Sequence, residues 1–332
     1  MRYSFIENIK ENDILAKTVF ADDCTPLLAA NTRLTKRNIY RLGNLGFKGL
    51  YIYDDTDNAD QADLLSDDVR QQALKSLKHI NIDDCLFVAN TITNNVLERP
   101  EMLYEMMNMC SYDDYTYNHC INVAILSTMI GVDMRLSNKE LGELSQAALL
   151  HDIGKICIPD GVLNKKGPLT NEEFETVKQH PETGYSLLSD NNFVSEKVRL
   201  GILYHHENEN GTGYPMGIKS RDIPLFSKII HVADVYDAMI SKRSYKNPIN
   251  PADVLEYIMG NAADFDIRAV YALVNIVTLY PAGAVVRLSD GQQATVMKNN
   301  KGYPQRPVVR TDNGKTIDMM NVLNITITET IA

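Results

Sequence analysis

Six of the seven histidines fall between His119 and His231, and only His79 lies outside that stretch. Several stand beside an acid or another imidazole, as in His151-Asp152 and His205-His206-Glu207. Imidazole nitrogens and carboxylate oxygens together form a donor set that suits iron, manganese or zinc. On the run from Tyr115 to Ile130, His119 shares a helical face with Val123, Leu126 and Ile130, the i, i+4, i+7, i+11 series that points inward. A lone inward histidine is ordinarily a core residue, but this one has company. Asp234 lies in the apolar stretch Ile229-Ile-His-Val-Ala-Asp-Val, where an unpartnered carboxylate costs several kcal/mol and should bind a cation or take a partner. The types His119, His151, Asp152 and Asp234 suit one divalent metal. His180, His205 and His206 are more imidazoles than one centre needs. With a carboxylate able to bridge, they argue for two metals a few ångströms apart, an arrangement that hydrolyses phosphoesters.

These side chains need elements to position them. Ser137-Asn-Lys-Glu140 and Thr170-Asn-Glu-Glu173 are capping boxes, in which hydroxyl and carboxylate satisfy orphan amides reciprocally. The first launches a helix running to His151-Asp152, and the second launches one running to His180-Pro181. Asn250-Pro251 caps a further helix. Neighbouring side chains diverge on a helix, so His205 and His206 serve one centre only on bent backbone. The following Gly211-Thr-Gly-Tyr-Pro215 supplies irregular chain. Residues 100–280 thus read as one all-helical domain. Residues 1–60 read as a small α+β module, with a helical pattern from Leu34-Thr35 that ends near Gly43 and Gly46, then a strand over Gly49-Leu-Tyr-Ile-Tyr53. An acidic linker from Asp54 to Asp68 and a helical pattern from Val69 to Leu97 make residues 61–99 a connector. Residues 281–332 read as a small β module, with hairpin turns at Asp290-Gly291 and Asn313-Gly314 and a closing strand over Val322 to Thr328. The fold class is mainly α.

The 332 residues, at roughly 150 per domain, make about two domains. Hydrophobic residues at 44% and charged ones at 23% are ordinary for a globular chain and exclude global disorder. The balance of 33 Lys+Arg against 43 Asp+Glu leaves a net charge of -10, without the broad basic surface that nucleic-acid polymers require. An anionic ligand must be held by a local positive cluster or by metals. Cys24, Cys85, Cys110, Cys120 and Cys157 are odd in number and lack Cys-x-x-Cys spacing, which fits a reducing compartment. Acidic residues occupy the place of a signal peptide's apolar region, and no run approaches the roughly 20 apolar residues of a membrane span. The expectation is a cytoplasmic protein.

In order and spacing, His119, His151-Asp152-Ile-Gly-Lys155, His180-Pro181, His205-His206-Glu207 with Gly213-Tyr214-Pro215, and Asp234-Val-Tyr-Asp237 resemble the HD-GYP phosphodiesterases, a branch of the HD phosphohydrolase superfamily. Ile158-Pro159-Asp160, Lys166-Gly167 and Arg243-Ser-Tyr-Lys246 add to a likeness that covers roughly residues 112 to 270. The resemblance implies an all-helical domain with two divalent metals, iron or manganese, that linearises cyclic di-GMP to pGpG, in some members onward to GMP. A metal-bridging hydroxide would be the nucleophile. It implies His119, His151, Asp152 and Asp234 as ligands of one centre, and His180, His205 and His206 as ligands of the other, with Asp152 bridging.

By the same resemblance Lys155 steadies the scissile phosphate, an electrostatic role. Arg243 and Lys246 hold the ligand's phosphates, and Tyr214 lies in the substrate-side loop. Asp237 and Glu207 are candidates for orienting imidazoles. His231 matches no ligand and reads as a buried structural histidine. Tyr115 stands where three-metal members carry Glu, which favours two metals. Asn210 replaces a common Asp, keeping turn-forming ability while losing charge. Two other readings stay open. One is a weakly active or inactive cyclic-dinucleotide receptor that signals through protein interactions, against which the intact His-Asp-x-Gly-Lys motif weighs. The other is a hydrolase of ordinary nucleotides, against which the Gly-Tyr-Pro loop with Arg243 and Lys246 weighs. A homodimer is compatible with the 1–60 module, whose plain role is packing or dimerisation, while the 281–332 module caps the helical core or recruits a partner.

Overall fold

Side-chain caps set where most helices begin. The computed structural model describes residues 2–16, 18–20, 26–47, 49–53, 64–104, 115–165, 167–241 and 249–331. Its contacts divide into two units: Leu64–Met102 with Tyr112–Leu273, and Met1–Asp63 with Leu103–Ser111 and Val274–Ala332. In the first fifty residues, β1 (Arg2–Phe5) pairs antiparallel with β4 (Gly49–Ile52), and β2 (Val19–Phe20) pairs with β3 (Pro26–Leu28). Between them α1 (Lys36–Asn44) starts where the Thr35 side chain accepts the Asn38 amide. Leu15, Leu34, Leu42, Leu50 and Ile52 form the core of this module.

The helical unit opens with α2 (Asp67–Lys78), capped by Ser66, and α3 (Ile82–Glu98), capped by Asn81. The single helical pattern expected from Val69 to Leu97 is therefore broken, at Ile80, whose φ of 53° ends the right-handed turn. Then follow α4 (Tyr115–Asp133), α5 (Asn138–Leu150), α6 (Asp160–Leu163), α7 (Asn171–Val177), α8 (His180–Leu187), α9 (Glu196–Leu203), α10 (Leu225–Ile240), α11 (Pro251–Gly260) and α12 (Ile267–Ile276). Both capping boxes form, at Ser137 with Glu140 and at Thr170 with Glu173. The first delivers α5 to His151 as expected.

The second box does not deliver its helix to His180. α7 stops at Val177, the chain turns through Lys178 and Gln179, and His180 opens α8 with Pro181 in the first turn. Proline lacks the amide that a continuing helix needs, so it favours a start here over a finish. α5 packs on α3, α4 and α9, while α10 packs on α4 and α9. Ile229, Ile230, Val232 and Ala233 are fully buried, so α10 is enclosed around its circumference where it carries Asp234. From Tyr204 to Pro224 the chain is irregular apart from one short 3-10 turn, and this stretch includes the expected irregular segment Gly211-Thr-Gly-Tyr-Pro215.

The C-terminal strands form one antiparallel sheet in the order β8-β7-β6-β5-β9. They are β5 (Val285–Leu288), β6 (Gln293–Lys298), β7 (Val308–Thr311), β8 (Thr316–Asp318) and β9 (Ile327–Thr330). Both expected hairpin turns are present. The last strand begins later than Val322, because the Arg306 guanidinium donates to the carbonyls of Val322, Leu323 and Ile325 and holds that segment out of the ladder. Among the described residues, no helix is long and apolar enough to cross a membrane. Cys24, Cys110, Lys166, Arg243, Lys246, the acidic run 54–63 and the side chain of Tyr115 lie outside the described residues.

Candidate metal centre

Three imidazoles are aimed by the ends of helices. A helix leaves its last carbonyls without intrahelical partners, and His151, His180 and His205 each stand three residues beyond such a carbonyl. Their Nδ1 atoms lie 2.7 Å from the Ala148 oxygen, 2.8 Å from that of Val177 and 2.6 Å from that of Ile202. A carbonyl only accepts, so each Nδ1 carries the proton and each Nε2 presents a lone pair. Those lone pairs converge. Nε2 of His180 lies 3.3 Å from Nε2 of His205, and Nε2 of His151 lies 3.4 Å from Oδ2 of Asp152. His151 Nε2 and Asp152 Oδ1 are buried without a hydrogen-bond partner.

Orphaned acceptors facing one another repel unless a cation lies among them. Within 4.8 Å of one another fall the ligand atoms of Asp152, His180, His205 and His206, and separately those of His119, His151 and Asp152. A third such group joins His151, His205 and Asp234. The donor chemistry therefore fits divalent metal in two adjoining groups, and Asp152 belongs to both.

His119 completes the cluster from α4. Its Nε2 is 2.9 Å from Asp234 Oδ1, and its Nδ1 is 2.7 Å from Asp237 Oδ2. Asp237 also accepts from Asn122 Nδ2 at 3.0 Å, one helical turn beyond His119. Burial alone would push the His119 pKa down, but hydrogen bonds to the two carboxylates hold it up at about 9. Asp152 shows the opposite balance. Burial, its largest influence, favours the acid form, yet His151 and Lys155 beside it hold the carboxyl well below the usual range. Asp234 is held low by His119 in the same way, against its own burial. Burial and neighbouring imidazoles push His205 well down, and burial with His180 and Lys155 does the same for His206 despite Asp234. Asp152, Asp234, His205 and His206 are thus held in the ionised and neutral states that metals require of their ligands, whereas His119, paired with two carboxylates, must give up a proton to join them.

The loop of Gly213-Tyr214-Pro215 packs directly on this cluster. The Tyr214 ring stacks on His206 with centroids 4.6 Å apart. Gly213 admits no side chain, since a Cβ there would stand 2.4 Å from both the Asn208 nitrogen and the His206 oxygen. Asn210 forms the expected turn, its Oδ1 accepting the Thr212 amide at 2.9 Å, while its amide donates to Asp264.

Some sequence expectations change. Asp237 does orient an imidazole, but Glu207 does not. Its Oε1 accepts the backbone amides of Met216 at 2.7 Å and Gly217 at 2.9 Å, so it ties down the loop. Lys155 places Nζ 2.5 Å from Asp152 Oδ2. His231 is buried and structural as read, donating from Nδ1 to the His205 carbonyl at 3.0 Å and stacking on Phe265. Asn122 was missed, although its position three residues after His119 puts it on the same helical face. Arg243 and Lys246 lie outside the described residues, so nothing in the site is built on them.

Comparison with known proteins agrees with this geometry. The chain is 37% identical over 213 residues to the cyclic di-GMP phosphodiesterase PA4108 of Pseudomonas aeruginosa, covering 64% of this chain and 51% of that protein. It is 43% identical over 187 residues to a cyclic di-GMP phosphodiesterase of Thermotoga maritima, covering 54% and 49%. The chain thus spans about half the length of the curated relatives it matches. In fold it is similar to Bd1817, an HDG"Y"P protein from Bdellovibrio bacteriovorus, with a TM-score of 0.55 at 19% identity over 82% of this chain and 97% of that one. Residues 94–268 match the HD domain, a stretch that holds all seven clustered His and Asp residues and more than half of the chain. The chain belongs to the HD-domain family and has HD-GYP-type relatives.

Proposed function

We propose that the chain is a metal-dependent phosphodiesterase that hydrolyses cyclic di-GMP to pGpG, and in further turnover to GMP. The observation that carries this reading is the sharing of Asp152 between two adjoining donor groups. In it His119, His151, Asp152 and Asp234 hold one divalent metal, and His180, His205 and His206 hold a second together with Asp152. The softness of an imidazole and carboxylate set supports iron or manganese. When bound, such a pair supplies an activated water nucleophile and neutralises charge on the phosphate.

The chain's own groups do the rest. Lys155 stays protonated, because Asp152 raises its pKa against a burial that would lower it, and it offers a fixed positive charge to a bound phosphodiester. Tyr214, stacked on His206, presents a flat face on the substrate side of the loop. Arg243 and Lys246 are assigned the remaining phosphate contacts. The catalytic region is taken as residues 100–280, entered through the connector 61–99, with 1–60 as a flanking module suited to dimerisation and 281–332 as a second flanking module. A cytoplasmic setting suits the free thiols of Cys85, Cys120 and Cys157.

The test is elemental analysis of anaerobically purified protein, paired with hydrolysis of cyclic di-GMP under iron and under manganese. Two metals per chain with turnover is the expected result. A protein that carries both metals and cleaves no cyclic dinucleotide would sink the reading.

A further inference from the structure

Beside the metal-ligand cluster, a cavity of about 220 Å³ opens within the helical unit. It is lined by Asp152 and Lys155 together with Leu77, Ile80, Tyr117, Ile156 and Leu163. Asp160 and Asn164, both exposed, also line it. The volume lies below the roughly 300–1,000 Å³ that holds a whole drug-sized ligand. It suits one planar fragment of a larger molecule whose charged part reaches Lys155.

Two observations mark this cavity as more than a packing gap. Ile80 holds a φ of 53°, a left-handed conformation that is costly for a β-branched residue, and in that conformation its side chain forms part of the wall. Ile156, a large apolar side chain in the lining, is half exposed. The polar end has its own character, since the Asp160 carboxylate makes no hydrogen bond or ion pair with any described residue. An ionised carboxylate only accepts hydrogen bonds. Guanine presents two adjacent donors, N1–H and the N2 amino group, on one edge, whereas adenine presents an acceptor at N1.

We infer that this cavity is the subsite for one nucleobase of the cyclic dinucleotide, with Asp160 selecting guanine over adenine. The inference rests on the proposed cyclic-dinucleotide activity and adds the turn between α2 and α3 to the substrate-binding surface. The base lies between aliphatic walls and Tyr117, its edge toward Asp160, while the attached phosphate reaches Lys155.

The experiment uses the full metal-loaded chain and measures equilibrium binding and kcat/KM for cyclic di-GMP and cyclic di-AMP. The wild type is expected to favour the guanine ligand. Asp160→Asn replaces an acceptor with a donor, so that preference should fall about ten-fold with metal content unchanged. Ile80→Gly removes part of the wall while relieving the backbone, so KM should rise for both nucleotides without a lower thermal midpoint. An unchanged guanine preference in Asp160→Asn overturns the subsite, as does equal binding of the two nucleotides by the wild type. Guanine-selective binding without turnover leaves the subsite standing and refutes the hydrolytic reading instead. Failure to bind either nucleotide overturns both.

Discussion

Asp152 is one carboxylate at the junction of two donor groups, buried between His151, His180 and Lys155. Removing it should not halve the metal content but abolish it. Asp152→Ala is expected to lose both metals and all turnover together, read by elemental analysis beside the hydrolysis assay. Two retained metals would refute the shared-ligand assignment. The clustering of these residues was legible in the sequence because a charge among apolar neighbours demands company, as Asp234 does inside the enclosed α10. Their supporting partners were less legible. Glu207 adjoins His206 in the chain, yet adjacent side chains leave the backbone in different directions. Its carboxylate reaches forward to the Met216 and Gly217 amides rather than to an imidazole.

Elements hold those residues by contacts that tolerate little. At Gly154 an added Cβ would stand 2.0 Å from the His180 carbonyl oxygen and 2.6 Å from the Gly184 nitrogen. Both are backbone atoms and cannot swing aside. Gly154→Ala should therefore cost about 3 kcal/mol of stability and displace the start of α8, so metal bound through His180 is lost while the variant is still folded. Thermal unfolding with metal analysis checks both parts. α12 offers a separate test. Asp266 caps it, accepting the Arg268 and Ala269 amides while the Arg268 guanidinium binds it at 2.8 Å. Burial favours its neutral form, but Arg268 and those amides hold its pKa below the ordinary value.

A carboxyl lowered on folding stabilises above its unfolded pKa of about 3.9 and loses that contribution as pH falls through the lower folded value. Asp266→Ala should cost about 1 kcal/mol at pH 7. The difference from wild type should shrink in melts carried out below the unfolded pKa, and a gap that stays constant would argue against the ion pair. Helix starts with capping boxes could be read in advance, because the cap and its partner lie within one turn. The end of α7 and the late start of β9 could not. One is a turn at Lys178-Gln179 with no glycine to mark it, and the other depends on Arg306, distant in sequence from the carbonyls it binds.

The whole molecule carries a net charge of -10, and some of that acidity is concentrated in the buried cluster. Bound cations would make the site locally positive within an acidic protein, which reconciles a phosphate ligand with the overall charge. They would also stabilise the fold, since a ligand at 1,000 times its Kd contributes about 4 kcal/mol. With two such ions and each kcal/mol worth about 2 °C in a chain of this length, chelation should lower the thermal midpoint by roughly 15 °C. A midpoint unmoved by chelation would place the metals elsewhere than in the core.

Three of the imidazoles are tethered to carbonyls at the ends of α5, α7 and α9, so their aim is fixed when the helices form rather than when an ion arrives. The cluster behaves as a mould set before any ion enters it. Filling it calls for ion entry and desolvation, without refolding, and refilling after loss should be as fast as the first filling.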